Sequence, residues 1–138
     1  MATIRSYTTV EQSRKLAEIL PPESVDMKWY FWKDEIDAPK VPTFGYSKTT
    51  AESYKDTEAV YLPCWSLASL LGVLPNNKHI TTTLSRGGWK IEPVEYIDKW
   101  FCEYEDEDSP CRDFTVSADN PVDACVAMIE KLNELKML

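Results

Sequence analysis

By type and position, Cys64 is the residue best suited to nucleophilic chemistry. With Trp65 it stands directly before Ser66 and an apolar helical run. A thiol at a helix N-terminus has a lowered pKa, and the thiolate is the attacking species. Such a nucleophile needs a base, and His79 is the only histidine of the chain. It lies beyond the helical run, so sequence proximity does not assemble the pair. A buried Cys64 packed beside Trp65 is the simpler expectation. Ser66 lacks the G-x-S-x-G elbow of serine nucleophiles and reads as a helix N-cap. Arg86-Gly87-Gly88 is no phosphate-binding loop and reads as a hairpin turn. The four cysteines, Cys64, Cys102, Cys111 and Cys125, contain no C-x2-C pair. With a single histidine they do not compose a zinc site, so no metal and no cofactor is expected.

Two other features could make contacts. Glu103-Tyr104-Glu105-Asp106-Glu107-Asp108 is the most unusual local run. Its carboxylates could meet a basic protein or imitate a row of nucleic-acid phosphates. They could also bind a divalent cation weakly, although the glycine and ligand order of an EF-hand are missing. The plainer reading is a solvated loop tip whose charges discourage edge-to-edge strand pairing. The five tryptophans are Trp29, Trp32, Trp65, Trp89 and Trp100. Trp29 and Trp32 are three positions apart on an alternating strand, so they face opposite sides of a sheet. Exposed Trp and Tyr favour protein or sugar contacts. A large aromatic core is the alternative.

Composition narrows the classes. A chain of 138 residues suits one domain, 1–138, with one core. Hydrophobic residues make up 43 %, too many for a disordered chain. The net charge of −8 repels phosphate backbones, and no cluster of Lys and Arg offsets it, so no nucleic-acid partner is expected. Met1 to Ser6 holds no signal-like apolar run, and no stretch is long enough to span a membrane. The expectation is a cytoplasmic protein with reduced thiols and no membrane partner.

The elements that must position these residues are legible in part. The clearest is the last: Asn120 caps, Pro121 suits the first helical position, and Asp123 complements the helix dipole. Val122, Cys125, Val126, Met128, Ile129, Leu132 and Leu135 then recur at helical spacing. This reads as an amphipathic helix docked on a sheet, or as a partner-binding helix. Thr8 and Thr9 precede Glu11 and Gln12 at capping-box spacing, opening a helix that Pro21-Pro22 stops. Met27 to Trp32 reads as a strand. Lys33 to Lys55 reads as a long loop, with a short strand near Phe44-Gly45-Tyr46. Ala59 to Leu62 is a strand, and Leu67, Ala68, Leu70, Leu71 and Leu74 form a second helix. Ile80 to Leu84 is a Thr-rich strand, Trp89-Lys90-Ile91 begins the return from the turn, and Ile97 to Tyr104 is a further strand. Glu103 to Asp113 reads mostly as an acidic loop, and Phe114 to Val116 as the last strand. The fold class is therefore α+β: one domain, a mainly antiparallel sheet of about four to five strands, about three helices, and the C-terminal helix packed on the sheet.

Three blocks carry a resemblance: Leu20 to Met27 after a capped helix, Leu62 to Leu71, and Asp119 to Cys125 with its helix. In that order they resemble a group of small uncharacterised proteins of gut bacteria and their prophages or mobile elements. The blocks are structural punctuation, so the resemblance implies a mobile-element setting and carries over no site residue. The resulting expectation is a non-catalytic module that binds a host or phage protein. Its contact surface combines Glu103, Glu105, Asp106, Glu107 and Asp108 with Trp29 and Trp32. The alternative is a small-molecule or carbohydrate-binding module using Trp29, Trp32 or Trp89. An enzyme using Cys64 ranks behind both.

Overall fold

The computed structural model describes residues 5–35, 40–109, 111 and 113–138. They fall into two compact units, Tyr7–Leu70 and Leu71–Leu138, the second joined by Arg5 and Ser6. The class is α+β with antiparallel sheets, and the C-terminal helix packs on a sheet as expected. The described strands number six and divide between two three-stranded sheets, where a single sheet was expected. No helix among the described residues is long and apolar enough to cross a membrane.

The Tyr7–Leu70 unit begins with helix α1 (Val10–Ala17). Its capping box is formed by Thr9 and Gln12: the Gln12 N–H donates to Thr9 Oγ1 at 3.1 Å, and the Thr9 N–H donates to Gln12 Oε1 at 3.0 Å. Just ahead, buried Thr8 accepts from the Trp65 N–H at 3.1 Å and bonds the Ser13 hydroxyl at 2.8 Å. This satisfies its hydroxyl inside the core. Strand β1 (Met27–Trp32) lies between β2 (Thr43–Phe44) and β3 (Ala59–Cys64). Alternation sends Met27, Trp29 and Phe31 into the core and leaves Tyr30 and Trp32 exposed. Val60 and Leu62 of β3 pack on the same core, and α1 lies against β3. Pro63 is tolerated because β3 is an edge strand, where a missing N–H need not break a ladder.

One helix of this unit lies in the segment the sequence presents as loop. Helix α2 (Lys48–Ser53) starts at Ser47, whose Oγ accepts the Thr50 N–H at 3.3 Å. It buries no residue, so it has no apolar stripe to betray it. Ile36 to Pro39 of the same segment lie outside the described residues. Helix α3 (Leu67–Val73) contains the boundary between the units. Ser66 is its N-cap, accepting from the Ser69 N–H at 3.2 Å.

In the Leu71–Leu138 unit, β4 (Ile80–Lys90), β5 (Glu95–Asp106) and β6 (Phe114–Ala118) pair in that order. Helix α4 (Pro121–Glu134) covers β5 and β6. Asn120 caps it, accepting the Val122 N–H at 2.9 Å. Val122, Cys125, Val126, Met128, Ile129 and Leu132 are buried against Cys102 and Tyr104 of β5, each contributing roughly 1.5–3 kcal/mol. Asp123 forms an ion pair with Arg5.

Two readings are corrected here. Arg86-Gly87-Gly88 is not a turn but a bulge within β4, where the register shifts between Arg86 and Gly88. Gly87 has φ +78°, and the Tyr96 hydroxyl lies 1.7 Å from where a Cβ would stand. Positive φ serves a bulge as well as a turn, so glycines alone do not distinguish them. The turn itself comprises residues 91–94. Second, β5 runs past Tyr104: Glu105 and Asp106 belong to the strand and not to the acidic loop, and only the residues after them turn.

Candidate functional site

The most distinctive surface lies on the outer side of β2-β1-β3. Inward Met27, Trp29 and Phe31 oblige Lys28, Tyr30 and Trp32 to face outward. The β1–β3 register places Tyr61 directly opposite Tyr30. The two ends of α2 supply Tyr46 and Tyr54. Tyr46 and Tyr54 both stack on Tyr61, with ring centroids at 5.6 and 5.7 Å. Tyr30 meets Tyr54 edge-on at 5.4 Å, and Trp32 continues the row at 6.3 Å from Tyr30. Five aromatic side chains thus form one continuous surface. Rings in these orientations stabilise one another by about 0.5–1.5 kcal/mol per pair, so the row is held in place before any ligand arrives.

Polar groups are few and specific. The Ser47 N–H donates to Tyr61 Oη at 3.2 Å, which orients that phenol. The Lys28 ammonium lies 5.8 Å from the Tyr61 ring centroid, within cation–π range. A cavity of about 530 Å³ opens here, lined by Lys28, Tyr30, Tyr46, Thr50, Tyr54 and Tyr61. Among the described residues its lining contains a lysine and hydroxyls but no carboxylate. Burial pushes the Tyr46 phenol above its ordinary value, helped by Tyr61 and Glu52. The Tyr30 phenol is raised chiefly by its hydrogen bond with Tyr54. Both phenols are therefore protonated at neutral pH, and the Tyr30 hydroxyl is engaged with Tyr54.

The residues singled out in the sequence fare differently. Trp32 is 47 % exposed and belongs to this row. Trp29 is only 6 % exposed, packed in the core against the Tyr7 ring at 5.8 Å. It offers no contact surface, because the alternation that exposes Tyr30 buries its neighbour. The acidic residues belong to the Leu71–Leu138 unit, whereas Trp29 and Trp32 belong to Tyr7–Leu70. The run itself divides. Glu103 and Glu105 lie on β5, turned away from Cys102 and Tyr104, and Glu105 is exposed. Asp106 organises the following turn: its N–H donates to Asp113 at 2.8 Å, and its carboxylate accepts the Asp108 N–H at 3.0 Å. Glu107 is exposed, and Asp108 faces His79 Nδ1 at 3.3 Å. No group of three or more His, Cys, Asp or Glu able to hold a metal ion occurs among the described residues.

Cys64 is fully buried, and burial pushes its thiol up rather than down. Hydrogen bonds from its surroundings, such as the Thr8 hydroxyl at 3.5 Å, offset only part of this. Desolvation thus outweighs the hydrogen bonds that favour the thiolate at this position. Cys125 is likewise raised, by its hydrogen bond with Cys102 and by burial.

The tyrosines of the row were missed as a group. The alternation that exposes Trp32 also exposes Tyr30 two positions earlier, and that signal was present. Tyr61 joins through cross-strand register, and Tyr46 and Tyr54 through a helix with no sequence stripe. No protein-family model, curated protein or solved structure matches the chain.

Proposed function

We propose that the protein is a non-catalytic interaction module that binds an extended segment of a partner protein on the row Trp32, Tyr30, Tyr54, Tyr61 and Tyr46. The observation that carries this reading is the row itself: a rigid, partly exposed aromatic surface on the outer side of a small sheet. Aromatic anchors of this kind dominate the energy of protein contacts. The polar lining adds direction. Tyr46, Tyr61, Thr50 and Lys28 can supply donors, and the described lining residues include no carboxylate to receive a partner's donors. That balance suits a segment rich in carbonyl acceptors and poor in N–H groups, and a proline-bearing stretch in the polyproline II conformation has both properties. Lys28, the only charge among the described lining residues, favours an acidic residue beside it. The phage or mobile-element setting and the cytoplasmic location belong to the proposal. The first rests on the resemblance of the three sequence blocks, the second on the composition of the chain.

The test is retention of the partner by the tagged protein, compared with Trp32→Ala and Tyr30→Ala variants. An anchor loss of about 2 kcal/mol corresponds to roughly 30-fold weaker binding. Unchanged affinity in both variants removes the aromatic row from the model. The acidic run is tested separately by Glu103→Gln, Glu105→Gln and Glu107→Gln together, which spares the turn held by Asp106. Full retention of affinity and of its salt dependence excludes the run as a contact.

A second reading, a small-molecule or carbohydrate module, is favoured by the size of the cavity, which falls within the range of ligand sites. Quenching or enhancement of Trp32 fluorescence by a sugar or ring ligand, abolished by Tyr54→Ala, distinguishes it from the protein-binding reading.

A further inference from the structure

The β4–β5 ladder runs from Ile80 opposite Asp106 to Lys90 opposite Glu95. Strand β6 pairs only with Trp100 to Tyr104 of β5. Beyond Trp100 the sheet is therefore a two-stranded ribbon, closed by the turn at residues 91–94. Ribbons of two strands are marginal in water unless an apolar surface is covered. This one carries four large apolar side chains at its tip: Trp89 is 71 % exposed, Ile91 80 %, Val94 77 % and Tyr96 52 %. Trp89 and Tyr96 are cross-strand partners with ring centroids 5.3 Å apart, so part of the tip is preassembled. Gly87 admits the Tyr96 side chain over the bulge, which holds that ring at the base of the tip.

We infer that this ribbon tip is a self-association surface, and that its occupant is the same ribbon of a second copy of the chain. Two arguments select a second copy. The first is charge. The chain carries −8, yet the ribbon from Arg86 to Lys99 holds three bases (Arg86, Lys90, Lys99) and three acids (Glu92, Glu95, Asp98), and so is neutral. Two copies can meet there without the repulsion that opposes approach elsewhere, and a neutral tip on an acidic protein gives no attraction to anionic lipid. The second is area. The four exposed side chains present on the order of 500 Å² per copy, so a two-fold pairing covers at most about 1,000 Å², the lower limit for a specific but weak interface. A two-fold arrangement is self-complementary and closes at the dimer.

The test is sedimentation equilibrium of the full chain from about 1 µM to about 1 mM, the range in which an interface of this size dissociates. The expected result is a monomer at the low end that becomes a dimer as concentration rises. Trp89→Ser with Ile91→Ser should shift the dissociation constant at least about tenfold, with an unchanged far-ultraviolet circular dichroism spectrum. Should that pair disturb folding, Val94→Ser in the turn provides the same comparison without touching the ladder. A wild-type chain that stays monomeric throughout overturns the inference, as does a dimer that persists in the folded variants. Co-flotation of monomeric protein with phosphatidylserine vesicles, lost in the same variants, also overturns it and assigns the tip to lipid.

Discussion

At the scale of the residue, burial decides what each reactive group can do. Cys64 occupies the position that helix electrostatics would activate, but its full burial raises the thiol above the ordinary value of 9.0. A raised acid favours its protonated form in the folded state. Its contribution to stability is complete below the ordinary thiol value and is lost as pH climbs through the folded one. At pH 7.5 Cys64 is therefore a protonated, inaccessible thiol. Of the four cysteines, Cys111 is exposed and Cys64, Cys102 and Cys125 are buried. Alkylation at pH 7.5, mapped by mass spectrometry, should label Cys111 rapidly and the other three only after denaturation. Labelling of Cys64 as fast as Cys111 would revive it as a nucleophile. The sequence reveals the place of Cys64 in the chain, but the sign of its pKa shift is set by burial, which outweighs the lowering hydrogen bonds of Thr8 and Ser13.

At the scale of the element, signals carried by neighbouring residues were readable and signals carried by pairing were not. The Thr9 capping box, the Ser66 cap and the Asn120 cap each involve residues within three positions of one another. Asn120→Ala leaves the Val122 N–H without its acceptor and should cost about 1 kcal/mol. Urea denaturation should register this as a lower midpoint with an unchanged slope, because the surface exposed on unfolding is the same. A change below a few tenths of a kcal/mol means that water replaces the cap at no cost. Helix α2 escaped notice because it buries nothing, and the Gly87 bulge because glycines mark turns and bulges alike. Charge alone marks Glu105 and Asp106 as loop, yet they continue the alternation of buried Cys102 and Tyr104 along β5.

At the scale of the whole molecule, charge governs how copies meet. The net charge is −8 at pH 7, and the sequence pI is about 4.7. Near that pH the mutual repulsion disappears and association no longer requires a matched surface. Light scattering of a dilute solution should therefore rise sharply as pH is lowered to about 4.7, in wild type and in Trp89→Ser alike. A rise confined to wild type would assign the effect to the ribbon tip. Taken alone, the sequence determined the α+β class, the capped ends of α1, α3 and α4, and the opposite facing of Trp29 and Trp32. All of these depend on hydrogen bonds or side-chain alternation between residues a few positions apart. Only the tertiary structure decided which face of β1 is covered, which residue stands opposite Tyr30, and where the β4–β5 chain turns. Those outcomes depend on register between residues 30 and 61 or 86 and 100. Distant pairing leaves no local pattern in the chain, so the aromatic row and the ribbon tip emerge only when the strands are side by side.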